Sequence, residues 1–87
     1  MTRFELTDLT VLLRESAGEN EGVDLDGDIQ DVSFADLGYD SLAMLQTTGR
    51  VEREWGVLLD DEAVSEAETP RQYLELVNRA LSERTAA

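Results

Sequence analysis

Apolar residues return at three- and four-residue spacing in three stretches of this chain, and each stretch predicts an amphipathic helix. In the first, Leu9, Leu12, Leu13 and Ser16 fall on one face, with Val11 opposite. Thr7 is placed to cap this helix, Leu6 and Val11 are spaced as a hydrophobic staple, and Gly18 is placed to stop it. Those signals bound it at Asp8 to Ala17. In the second, from Ser41 to Trp55, a buried face of Met44, Thr48, Val51 and Trp55 is flanked by Leu45. Leu42, Gln46, Gly49 and Arg53 lie on the opposite side, Gly56 ends the helix, and Val57 makes the accompanying apolar contact. The third opens at Thr69-Pro70-Arg71-Gln72, with threonine at the N-cap, proline at N1 and glutamine at N3. It reaches Glu83 with a stripe of Leu74, Val77, Asn78 and Leu81, beyond which the last residues fray.

The segments between these helices are unequal. Glu19 to Asp40 is a long connection with eight acids and no base, yet it places Val23, Leu25, Ile29, Val32, Phe34 and Leu37 along its length. A disordered segment has little need of such residues, so the loop is expected to be pinned across the core. Ser33-Phe34-Ala35-Asp36 fits a capping box and predicts one short helical turn. Val57, Leu58 and Leu59 read as a loop entering the core, and Asp60 or Asp61 then caps a short helix to Glu66. The predicted fold is all-α: a small bundle of three to four helices with a long first loop, forming one domain over residues 1–87.

Charge narrows the partners. Twenty acids against seven cations, all arginine, give a net charge of −13. That argues against nucleic acid and anionic membrane and favours basic protein surfaces. No apolar run is long enough to span a membrane and no signal-peptide core is present, so the expectation is a freestanding cytoplasmic monomer. Asp24-Leu25-Asp26-Gly27-Asp28 invites a calcium reading, but a loop starting at Asp24 has Ile29 and Ala35 where an EF-hand needs glycine and glutamate. A turn with solvated carboxylates accounts for it.

The chemistry concentrates in Asp36-Leu37-Gly38-Tyr39-Asp40-Ser41-Leu42, where a loop ends and a helix begins. Gly38 gives the backbone freedom that other residues lack, and Asp40 is a good N-cap. Ser41 therefore falls in the first helical turn, among unpaired N–H groups at the positive end of the helix dipole, a place that suits an attached phosphate. Nothing can activate its hydroxyl: the chain has no histidine, lysine or cysteine. The pattern G-x-S-x-G also fails, with Tyr39 and Ala43 at the glycine positions. A serine displayed but not activated reads as a substrate of another enzyme.

The segment D-L-G-Y-D-S-L resembles the attachment motif of acyl carrier proteins. LLRESAGE at 12–19, VDLDGDI at 23–29, GYDSLA at 38–43 and TPRQYLELVN at 69–78 are similar to the discrete carriers of bacterial aromatic (type II) polyketide synthases. The resemblance implies a 4′-phosphopantetheine arm on Ser41, transferred from coenzyme A by a magnesium-assisted phosphopantetheinyl transferase. It further implies a malonyl transferase, a ketosynthase pair and a ketoreductase or cyclases as partners, with no catalysis by the carrier itself. Asp40 caps the helix and secondarily meets the transferase, while Leu42, on the outer face, becomes a partner contact. A fatty-acid carrier is the nearest alternative, but Gln46, Arg50 and Arg53 replace the acids expected on the outer side of the second helix. A peptidyl carrier and a non-catalytic acidic adaptor on a basic enzyme surface are the others.

Polar residues inside two apolar stripes suggest where cargo rests. Thr48 and Asn78 should face the interior and need hydrogen-bond partners. They are expected either to line a cleft between the second and fourth helices, with Arg71 near its mouth, or to be satisfied internally. In the internal case Asn78 bonds the backbone of the long loop, and Thr48 bonds the carbonyl one turn back.

Overall fold

The computed structural model describes residues 3–18, 25 and 27–85, and among them it places four helices and no strand. These are α1 (Leu6–Ala17), α2 (Ser41–Trp55), α3 (Asp61–Glu66) and α4 (Pro70–Thr85). Val23, the acidic-turn residues Asp24 and Asp26, and the terminal Ala86 and Ala87 lie outside the described residues.

Helix α1 begins two residues earlier than its spacing predicts. Glu5, not Thr7, is the N-cap, and its N–H donates to Asp8 Oδ2 at 2.9 Å. The residues flanking the cap in the staple positions are then Phe4 and Leu9, both fully buried, and not Leu6 and Val11. Tertiary packing sets this start: the Phe4 ring meets Trp55 edge-on at 5.0 Å, and the Asn78 side chain bonds the Phe4 N–H and carbonyl at 2.8 and 3.0 Å. The expected face of Leu9, Leu12 and Leu13 is buried, and Gly18 ends the helix at φ 80°.

Helix α1 packs against α2 and α4, and α3 bridges α2 to α4. Between α2 and α4 the link is a side-chain pair, Thr48 Oγ1 and Tyr73 OH, 2.7 Å apart in the interior. Tyr73 is absent from the expected stripe of α4, yet it is fully buried with Val77 and Leu81, while Leu74 and Asn78 lie at the border. On α2, Ala43 and Thr47 are buried beside Thr48 and Val51; Met44 and Trp55 are half-buried, and Leu45 is 56% exposed instead of flanking the core. Leu58 likewise turns outward, while Val57 and Leu59 enter the core on either side of it. Helix α4 runs on to Thr85, past the expected Glu83.

The long connection is pinned as its apolar positions require. Leu25, Ile29, Phe34 and Leu37 are buried, and the Phe34 ring meets Tyr73 edge-on at 5.9 Å. The Phe34 N–H bonds the Glu68 carbonyl at 2.8 Å, and the Arg71 N–H bonds the Gln30 carbonyl at 3.0 Å. The loop thus satisfies an N–H in the first turn of α4 that has no intrahelical partner. Arg71 also grips Asp31 through two bonds of 2.8 and 3.1 Å, and the hydrogen bond lowers the Asp31 carboxyl from its ordinary value.

Burial raises the Tyr73 hydroxyl from 10.0 to about 12, although the bond from Thr48 acts in the opposite direction. Below the unfolded value both states hold the proton and the tyrosine's contribution is complete. Between the two values the unfolded chain releases the proton and the folded chain keeps it, so stability falls as pH rises. The unfolding free energy from urea titrations should hold steady up to about pH 10 and then drop towards pH 12, by at most about 3 kcal/mol. Tyr73→Phe should flatten that drop.

Candidate functional site

The site is built where a single helical turn ends and α2 begins. Ser33 Oγ accepts from the Asp36 N–H at 3.1 Å, and the Leu37 N–H reaches the Ser33 carbonyl at 3.0 Å, closing the expected turn. Gly38, at φ 88°, ends it. Its N–H bonds the Ala35 carbonyl at 3.0 Å, and the Tyr39 N–H bonds the Phe34 carbonyl at 2.9 Å. This nested pair is a Schellman stop, with buried Tyr39 and Phe34 in its usual apolar positions. Tyr39 OH donates to the Gly18 carbonyl at 3.0 Å, tying the stop to the end of α1.

Asp40 follows at once as the N-cap of α2, and its Oδ1 accepts from the Ala43 N–H at 2.9 Å. The N–H groups of Ser41 and Leu42 have no partner among the described residues. Ser41 is exposed in the first turn, and Leu42 is 62% exposed beside it. The Ser41 hydroxyl thus faces solvent at a helix start able to accommodate an anionic substituent.

A cavity of about 500 Å³ opens beside Ser41, between the Ser33–Ser41 segment, the first turns of α2, and α3. Phe34, Tyr39, Met44, Leu45, Val64 and Ala67 give it apolar walls, alongside Ser33, Ser65 and the acids Asp40, Asp61 and Glu68. Sequence spacing pointed elsewhere, to Thr48, Arg71 and Asn78, and the structure does not bring these three together. Thr48 is buried on Tyr73 and does not bond the carbonyl one turn back; its neighbour Thr47 does that, to Ala43 at 2.9 Å. Asn78 bonds Phe4, not the long loop, and Arg71 is engaged by Asp31. Arg71 and Asn78 share a separate polar groove along α4, on which Thr48 does not open. The missed signal was α3 itself: its Val64 and the Ala67 that caps its C-terminus belong to the cavity wall.

An exposed serine at a capped helix start, beside a small apolar cavity and within a four-helix framework, defines a prosthetic-group carrier. The chain matches the family described as "Phosphopantetheine attachment site" over residues 11–77 and belongs to it. Within that family it is one of the acyl carrier proteins. It is 56% identical over 82 residues to the oxytetracycline polyketide synthase acyl carrier protein of Streptomyces rimosus, covering 94% of this chain and 86% of that one. It is 51% identical over 83 residues to the granaticin polyketide synthase acyl carrier protein of Streptomyces violaceoruber, with 95% and 98% covered. The solution structure of the 3,7-dioxo-octyl actinorhodin acyl carrier protein from Streptomyces coelicolor aligns at a TM-score of 0.84 and 46% identity, covering 93% of this chain and 94% of that chain. No helix among the described residues is long and apolar enough to cross a membrane.

The Gly38 stop sets the geometry of the site. An alanine there would hold a left-handed conformation at a cost of about 1–2 kcal/mol. Gly38→Ala should lower the melting temperature by at least about 4 °C in a calorimetric scan.

Proposed function

We propose that this protein carries growing polyketide chains, built from malonyl units, as thioesters on a 4′-phosphopantetheine arm esterified to Ser41. The observation that carries the assignment is the position of Ser41: exposed, one residue past its cap, with two N–H groups around it that have no partner among the described residues. The relatives, all carriers of polyketide synthases or anthracycline pathways by name, favour this reading over a fatty-acid carrier or an acidic adaptor. The arm supplies a terminal thiol that holds the acyl group and brings it to each enzyme at high effective concentration.

The chain's own residues position and shelter; they do not catalyse. Asp40 holds the first turn of α2 in place. Leu42 offers an apolar contact beside the attachment point. Met44, Val64 and Ala67 shield the first part of the tethered chain, and the Ser33 and Ser65 hydroxyls can donate to its carbonyls, which a wholly apolar wall would leave unsatisfied. The partners of this reading are a phosphopantetheinyl transferase, a malonyl transferase, a ketosynthase pair and a ketoreductase or cyclases. The protein would meet them in the cytoplasm as a monomeric single domain.

Incubation with coenzyme A, magnesium and a promiscuous transferase should add one arm to the intact mass of the wild type and none to Ser41→Ala. An arm on Ser41→Ala would sink the assignment. Loading a ketone-bearing acyl group should then shift the amide resonances of Met44, Val64 and Ser65 and spare Asn78. Shifts centred on Asn78 would move the cargo to the α4 groove.

A further inference from the structure

A second groove, of about 380 Å³, runs between the last turn of α1 and the outer face of α2. Its walls are Ser16, Leu45, Gln46, Gly49, Arg50 and Arg53. Three features distinguish it.

Gly49 sits in the middle of α2, with helical backbone and no positive φ. A Cβ built there would meet nothing within 4 Å. Neither conformation nor internal packing calls for glycine, although glycine weakens a helix interior relative to alanine. A glycine in open space makes sense where something from outside approaches the backbone. Ser16 Oγ, across the groove, is buried without a hydrogen-bond partner among the described residues. Burying an unsatisfied hydroxyl is unfavourable.

The third feature is charge. In a chain of net charge −13, the stretch of α2 from Ser41 to Val51 contains no acid. The acids that follow are occupied: Glu52 accepts from the Leu59 N–H, and Glu54 holds Arg50 together with Glu15 of α1. Arg53 is exposed and has no partner among the described residues. The groove therefore presents a guanidinium uncommitted among the described residues, the Gln46 amide and the exposed side of Leu45. A carboxylate matches the guanidinium through paired N–H···O bonds, and its neighbouring methylenes match Leu45.

We propose that this groove is a docking site for an acidic side chain projecting from a synthase enzyme, which approaches the α2 backbone at Gly49 and pairs with Arg53. The proposal rests on the carrier reading above. It gives the outer face of α2 a polarity opposite to the rest of the molecule, so that an enzyme with an entirely basic docking surface is disfavoured there and one with a placed acid is selected.

The sign of one effect decides it. General attraction between an acidic carrier and a basic enzyme predicts that Arg53→Glu strengthens binding. The groove predicts that it weakens binding. The arm-bearing wild type, Arg53→Glu, Gly49→Ala and the control Arg79→Glu on α4 would be titrated against the ketosynthase pair of the actinorhodin polyketide synthase, reading the dissociation constant. Arg53→Glu should bind at least about 5-fold more weakly, and Arg79→Glu should stay within about 2-fold of the wild type. Gly49→Ala should melt about 4 °C higher or more, yet bind at least about 3-fold more weakly, a combination that damage to the fold does not produce. Unchanged or tighter binding by Arg53→Glu, or equal losses for Arg53→Glu and Arg79→Glu, would overturn the groove while leaving the carrier reading intact. Failure of the wild type to take up the arm would overturn both.

Discussion

Between Tyr39 and Ser41 the chain must pass from the interior to open solvent in two residues. Tyr39 is buried, with its hydroxyl on the Gly18 carbonyl, and Ser41 is exposed. Two helical segments of different direction meet there, and each needs its terminal backbone groups satisfied. The solution is local: the Gly38 stop takes two carbonyls of one segment, and the Asp40 cap takes one N–H of the next and leaves those of Ser41 and Leu42 open among the described residues. Neither could shift by a residue without burying the serine or exposing the tyrosine. Placement of the cavity follows, because Phe34, Tyr39 and Met44 enter its wall from the two sides of this junction.

The long connection belongs to the framework as much as the helices do. Among the described residues it contributes five buried apolar side chains, Leu25, Ile29, Phe34, Leu37 and Tyr39, and a carbonyl to the first turn of α4, and its Phe34 ring packs on Tyr73. Tyr73 in turn meets Thr48, the interior link between α2 and α4. Loop, α4 and α2 are thus joined through one aromatic side chain whose hydroxyl has no access to water. An unpaired hydroxyl at that depth would be unfavourable, so Thr48 and Tyr73 constrain one another.

Features written in adjacent residues were legible in the sequence. Asp40, Asp60, Thr69-Pro70 and Gly56 mark their helix ends correctly because capping is settled within a turn. The exposed place of Ser41 in the first turn of α2 was legible for the same reason. What spacing did not reveal depends on what covers each face. The start of α1 moved because Phe4 packs on Trp55 and bonds Asn78, neither of which is near it in sequence. Leu45 lies at the edge of the α2 stripe, and a wheel cannot say that this edge stays open between a cavity and a groove. Of the two readings of Thr48 and Asn78, internal bonding describes what is seen, but with other partners: Thr48 meets Tyr73 and Asn78 meets Phe4, while Arg71 pairs with Asp31 at the surface.

A crane is only as accurate as its bearing. The turn that presents Ser41 is held by two main-chain bonds, the nested pair at Gly38, and by one side chain, the Asp40 carboxylate on the Ala43 N–H. Main-chain bonds are indifferent to most side-chain replacement, so the surface around Ser41 can be rewritten to suit new enzymes without moving the pivot. All uncertainty in where the cargo travels is then left to the boom, a tether of fixed length swinging from a fixed origin. Enzymes that share one such carrier need to agree only on the distance from that origin to their own reacting atoms.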